Sequence, residues 1–219
     1  MKNVIILPAL VLVSLLFSCS TDDTIYGSGQ LASEFRDVNL FTKVNSEGVF
    51  EVNITQGSSQ SVEIIADDNV IHKVRTKVIN NELRLYLDSD IHSYSNISLK
   101  ANISAIALSG IRNSGVGDMF VANVDRNGVF SIDNLGTGNI AIDGTASNLN
   151  IRNEGSGKIF GFDLLVNDCS VHIEGSGDVE VSCTDHLEVD INGSGSVFYK
   201  GNPVINTSVS GSGEVVNAN

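Results

Sequence analysis

The sequence has no tryptophan, two prolines, three cysteines and only 13 lysines and arginines against 26 acidic residues. Binding to nucleic acid needs Lys and Arg in excess, so a chain of formal charge −13 is not a nucleic-acid partner. Beyond the first 18 residues the balance is 12 basic side chains against 26 acidic ones, or −14, which also repels an anionic membrane surface. No stretch of 12 residues carries helical periodicity, which argues against helical domains. No G-x-S-x-G elbow is present, and none of the four histidines sits in a pattern that would activate a Ser or Cys. The apolar fraction, 42%, is nonetheless that of a folded protein.

What is present begins with an address. Residues 1–18 read as a signal peptide, with Lys2 as the positive end and Val4 to Phe17 as the apolar stretch. This run is too short for a comfortable transmembrane helix. Leu16-Phe17-Ser18-Cys19 resembles the bacterial lipobox, which makes Cys19 the expected site of lipid attachment. The alternative is a simple signal peptide cut near Ser18, leaving a free thiol. Acyl chains contribute about 0.8 kcal/mol per buried CH₂ to holding a protein on a membrane. Asp22 and Asp23 follow directly and resemble the surface-export signal of Bacteroidetes lipoproteins; a plain polar spacer is the other reading. Residues 19–34 are expected to be the lipidated N-terminus and a flexible tether, reaching on the order of 20 Å as random coil.

From residue 35 the pattern is that of strands. Val49 to Ile54 and Ser61 to Ile65 alternate about a turn at Gln56-Gly57-Ser58-Ser59. Lys77-Val78-Ile79 and Leu83 to Leu87 flank Asn80-Asn81-Glu82, a hairpin signal. The one weak helical turn spans Asp67 to Arg75.

After residue 110 a Gly-x-Gly motif recurs six times, with its first glycines at 115, 136, 155, 175, 193 and 211. Twelve of the 21 glycines belong to it. A period near 19 residues that carries strands and no helix predicts a solenoid of stacked parallel coils. Each coil is expected to hold two or three short strands, with Val and Ile inward and Asp, Asn, Arg and Ser outward. The glycines are expected to supply positive φ at a sharp corner and also to permit close stacking of backbones, with an anion nest or ligand ledge as the alternative reading. Small hydroxyls between them (Thr137, Ser156, Ser176, Ser194, Ser212) are placed to hydrogen-bond along the stack. A dinucleotide site would need a helix after the glycines, and none follows. A calcium ladder would not tolerate Lys158 at the position after the second glycine.

The segment FTKVNSEGVFEVNITQGSSQSVEI, the NNELRLYL hairpin and repeats such as VHIEGSGDVEV resemble the auto-transporter adhesin, head GIN domain family, a domain of unknown function common in Bacteroidetes lipoproteins. The resemblance covers most of residues 36–216. It implies an all-β fold similar to a parallel β-helix and no catalytic residues. The expected organisation is one all-β domain over 35–217, with an irregular, antiparallel β part at 35–105 and the repeat solenoid at 106–217.

Candidate chemistry is sparse. Cys169 and Cys183 are read as buried thiols, with a disulfide as the alternative; with His186 they lack the close spacing zinc favours. His172 is read as an exposed, solvated strand residue. Asp185, Glu188 and Asp190 flank one strand, and the sequence alone does not place them at the separation a glycosidase needs. A lyase of acidic sugars would need more cations than Arg112, Arg126, Arg152, Lys158 and Lys200 provide. Phe160 and Phe198 each lie three residues past a second glycine, with Phe162 and Tyr199 nearby. They form either a solenoid wall or an aromatic patch for a glycan or protein. Neither a cofactor nor a metal is expected. The sequence therefore predicts a secreted, non-catalytic lipoprotein of the outer membrane, on the surface or facing the periplasm. An adhesin or binding module is the leading reading, a periplasmic structural protein the second and a polysaccharide-acting enzyme the third. Expected partners are the membrane through the lipid, a glycan or protein ligand, and further copies of the chain.

Overall fold

The computed structural model describes residues 24–89 and 93–219. The signal segment, Cys19, the Asp22-Asp23 pair and His92 lie outside the described residues. The rest is almost wholly strand. The N-terminal part contributes β1 (Thr24–Tyr26), β2 (Leu31–Phe35), β3 (Lys43–Ser46), β4 (Glu51–Gln56), β5 (Ser61–Asp67), β6 (Val74–Ile79), β7 (Glu82–Leu87), β8 (Ser93–Ser95) and β9 (Leu99–Ala105). The repeats contribute β10 (Gly110–Asn113), β11 (Met119–Asn134), β12 (Ile140–Asn153), β13 (Ile159–Ile173), β14 (Val179–Ile191), β15 (Val197–Lys200), β16 (Val204–Val209) and β17 (Val215–Asn217). Of the weak helical turn, only Ile71–Lys73 is helical, as a single 3-10 turn.

The repeats stack as parallel coils, as the 19-residue period requires. Each full coil is one long bent strand. In β11 three straight runs are separated by register shifts after Val121 and after Arg126. Alternate side chains point inward and form continuous columns: Met119, Ile140, Ile159, Val179 and Val197 make one, and Ile132, Ile151, Val171 and Val189 another. All of these are buried. Columns of branched aliphatics are the packing that parallel, two-sidedly buried strands select.

The Gly-x-Gly corners hold the stack together by main-chain bonds. Thr137 N–H donates to the Gly115 carbonyl, Ser176 to Gly155, Ser194 to Gly175 and Ser212 to Gly193, at 2.9–3.1 Å. The expected hydroxyl ladder is not what joins the corners. Positive φ is not the reason for the glycines either. Gly29, Gly48, Gly128, Gly144 and Gly201 have positive φ, and none belongs to the motif. Close approach is the reason: a Cβ on Gly136, Gly155, Gly175, Gly193 or Gly211 would overlap the glycine carbonyl oxygen of the coil before it.

One inward column is polar, against expectation. Asn113, Asn134 and Asn153 are fully buried. They stack in register and give way to Ile173, Ile191 and Val209 further on. Asn153 Nδ2 donates to the carbonyls of Gly157, 3.1 Å, and Gly177, 2.9 Å. Asn134 Nδ2 donates to Asn153 Oδ1, 3.2 Å, and to the Gly157 carbonyl. The amides satisfy corner carbonyls that have no water to turn to.

The parallel stack also extends into the N-terminal part, out of chain order. β3 lies beside β10, and β4 beside the start of β11. β7 and β9 form the next layer outward. Antiparallel β6, β5 and β2 then close that end. The turn at Gln56 to Ser59 therefore does not close a hairpin, because β9 lies between β4 and β5. The Asn80-Asn81 hairpin is as expected, with both residues at positive φ, 51° and 63°. At the other end, β16 pairs only with β14, and all six of its residues are exposed.

Residues 24–34 are strand and tight loop, not tether. Buried Asp67 is the cause: its carboxylate accepts the N–H groups of Gly29, 2.7 Å, and Ser98, 2.6 Å. Ser28 Oγ donates to Asp68, 2.6 Å, and Asn69 Nδ2 to the Tyr26 carbonyl, 2.7 Å. These bonds fasten a locally featureless segment to residues 40 positions away, which no local pattern reveals.

Candidate functional site

The third residue after each second glycine falls on an outward-facing position of one sheet face. Those residues are Phe120, Ala141, Phe160, Glu180, Phe198 and Val216. Pairing sets them in a line: Phe120 beside Ala141, Ala141 beside Phe160, Glu180 beside Phe198, and Phe198 beside Val216. Glu180 follows Phe160 through the Ile159–Val179 pair. The row continues into the N-terminal part as Asn53, Asn102, Glu63 and Phe35. Phe35, Phe120 and Phe160 are 75%, 44% and 42% exposed. Phenyl rings in water are unfavourable, and a row of them on one sheet face is the candidate contact surface.

The row is built differently in its three parts. Near Phe35 the polar members bind one another. Asn102 Nδ2 donates to Glu63 Oε2, 3.0 Å, and Ser33 Oγ to Glu63 Oε1, 2.6 Å. The bonds from Asn102 and Ser33 hold the Glu63 carboxyl below its ordinary range. In the middle Ala141 leaves a gap, and a groove of about 290 Å³ opens between Phe120 and Phe160. Asn53, Asp143 and Asp163 line its polar edges. Asp143 is oriented by the Asn123 N–H, 2.8 Å. Beyond Phe160 the gap is filled. Lys158 Nζ lies 5.3 Å from the Phe160 centroid and 5.6 Å from that of Phe198, and 3.5 Å from Glu180.

Of the four aromatics singled out from sequence, Phe160 and Phe198 share this row and the other two do not. Phe162 lies under Lys200, 4.3 Å from Nζ to centroid, and Tyr199 packs against the core. Phe120 was missed although it holds the same repeat position as Phe160 and Phe198; aligning all six motifs would have found it. Phe35 arrives on an antiparallel strand outside the repeat and has no sequence signal.

The remaining candidates do not converge. Cys169 and Cys183 are free, buried thiols, and burial pushes both thiols up. His186 Nδ1 lies 2.7 Å from Asp168 Oδ1, and Cys183 Sγ donates to the His186 backbone carbonyl, 3.0 Å, not to its ring. His172 is not simply solvated: Glu174 and Asp190 lie 3.0 Å from its two ring nitrogens. Those hydrogen bonds, Glu174's first, raise its pKa. Among the described residues no three His, Cys, Asp or Glu gather in metal-holding geometry. Asp143 and Asp163 sit on neighbouring rungs and both line the groove.

The described residues thus form a β-solenoid with a capped N-terminal end and an exposed aromatic row on one face. Residues 40–203 match the family model "Putative auto-transporter adhesin, head GIN domain", and the chain belongs to this family. Among solved structures, a "putative adhesin" from Bacteroides fragilis is similar at 24% identity and TM-score 0.70, over 88% of this chain and 99% of that one. A "putative lipid binding protein" from Parabacteroides distasonis is similar at 20% identity and TM-score 0.55, over 90% and 100%. A "putative adhesin" from Parabacteroides merdae is similar at 19% identity and TM-score 0.52, over 90% and 100%. Among curated proteins none matches the chain. The likeness to these structures carries the fold.

Proposed function

We propose that the protein is a non-catalytic binding module held at the cell envelope by a lipid on Cys19, with its solenoid body serving as an adhesin. The observation that carries this reading is the exposed phenylalanine row on one face of a rigid sheet. Family membership supports it, and so does the gathering of polar hydrogen-bonding groups beside the rings. The Leu16 to Cys19 motif supports acylation, and the acidic pair after it supports display on the outer surface.

Two experiments test the proposal. Labelled wild-type protein and the Phe120→Ala/Phe160→Ala variant are compared on glycan arrays and matrix-protein arrays. Binding that disappears in the variant supports the module; binding unchanged by the variant overturns the site. Protease shaving of intact cells, with Cys19→Ala and Asp22→Ala/Asp23→Ala for comparison, tests the placement. Protection of the native protein until the outer membrane is opened overturns surface display in favour of a periplasmic structural role.

A further inference from the structure

The row has a spacing as well as a composition. Phe120, Phe160 and Phe198 occupy every second rung, with Ala141 and Glu180 between them. Rungs of a parallel stack lie about 4.8 Å apart, so the rings repeat at about 10 Å. A ligand that uses several of these rings must present equivalent apolar faces at that interval. An extended peptide does not: its same-face side chains repeat every two residues, at about 7 Å. A linear β-1,4-linked glycan does, because it presents the same C–H face at alternate sugars, and aromatic rings stack on such faces.

Charge narrows the class. The groove between Phe120 and Phe160 is edged by Asp143 and Asp163, and the whole chain carries −13. An acidic polysaccharide would meet like charge along this surface. The same carboxylates offer acceptors, and the Asn53 amide a donor and an acceptor, to uncharged hydroxyl groups. The Ala141 gap leaves room for the sugar that bridges two stacking positions, while Lys158 and Glu180 fill the next interval.

We infer that the phenylalanine row is a docking track for a neutral, linear β-1,4-linked glycan, two sugars to every two rungs. This rests on the binding-module reading and specifies its ligand class. The test is titration calorimetry with neutral β-1,4-linked hexasaccharides of glucose, mannose and N-acetylglucosamine. α-1,4-linked maltohexaose and an acidic galacturonate hexamer are the controls. At least one β-1,4 probe is expected to bind, and the controls to bind at least tenfold more weakly. Phe160→Ala is expected to lower affinity about fivefold or more. Ala141→Leu, which fills the groove without touching the core, should lower it similarly; unchanged melting temperatures show that both variants fold. Equal binding of α- and β-linked probes, or none by any β-linked probe, overturns the inference. If an array ligand of another class is then lost in Phe120→Ala/Phe160→Ala, the binding module stands and only its ligand class falls. If no ligand responds to that variant, both fall.

Discussion

The two halves of this chain reach the same parallel stacking by opposite routes. In the repeats each coil sits on the coil that precedes it in sequence, so one residue position becomes one column in space. In the N-terminal half the layers are shuffled: the coil of β3 and β4 lies between the layer of β7 and β9 and the first repeat. The stacked corner continues into it, since Val116 N–H donates to the Gly48 carbonyl at 2.7 Å. Stacking is thus set by backbone complementarity at the corner, and repetition only makes it visible.

This contrast is sharpest at glycine. Gly175→Val drives a side chain into the Gly155 carbonyl, which is backbone and cannot step aside. The expected loss is about 3 kcal/mol or more in urea denaturation. Gly57→Ala in the other half meets only the Ser104 hydroxyl, at 3.5 Å, and should change stability by under about 1 kcal/mol. Equal effects at the two sites would sink the close-approach account. Asn134→Ala should cost next most, about 2 kcal/mol, because it removes the donor to the buried Asn153 Oδ1 and one of the two donors to the Gly157 carbonyl.

Asp67→Ala should act locally. Amide exchange at residues 24–35 is expected to rise while β11 to β14 stay protected. A uniform rise would mean that this segment is part of the global folding unit. His172 gives a smaller, pH-dependent effect. Its folded pKa is raised, so its contribution is fully present below the unfolded value, near about 6.5, and fades as pH rises through the folded one. His172→Gln should therefore lower the urea midpoint at about pH 5 and leave it nearly unchanged at about pH 9. The reverse order would contradict the Glu174 and Asp190 contacts. Lys158→Asp should be smallest, within about 1 kcal/mol, because the contacts this half-buried cation makes with Asp178, Glu180 and the Phe160 and Phe198 rings all lie at the surface.

The repeat solenoid was legible because its period, its alternation and its corner glycines all state one geometry. The asparagine column was not: Asn113, Asn134 and Asn153 each lie two residues after an inward Ile, which places them on the inward face, while their polarity argues for the outward one. Only the carbonyls of the neighbouring corners decide the direction. The order of the N-terminal layers was hidden because β9 inserts between two strands that a short turn joins. The aromatic row was half visible. Its repeat-borne members share a position after the second glycine, whereas Phe35 depends on antiparallel pairing with β5.

The alternation of ring and non-ring along the stack gives the protein a parity. Adding or removing one whole coil leaves the corners of the others intact. Losing the coil that carries Ala141 would set Phe120 against Phe160 on adjacent rungs, whereas losing two coils would preserve the alternation. Lineages that gain or lose coils in pairs would keep the surface ruler, and those that change by one would have to write a new one.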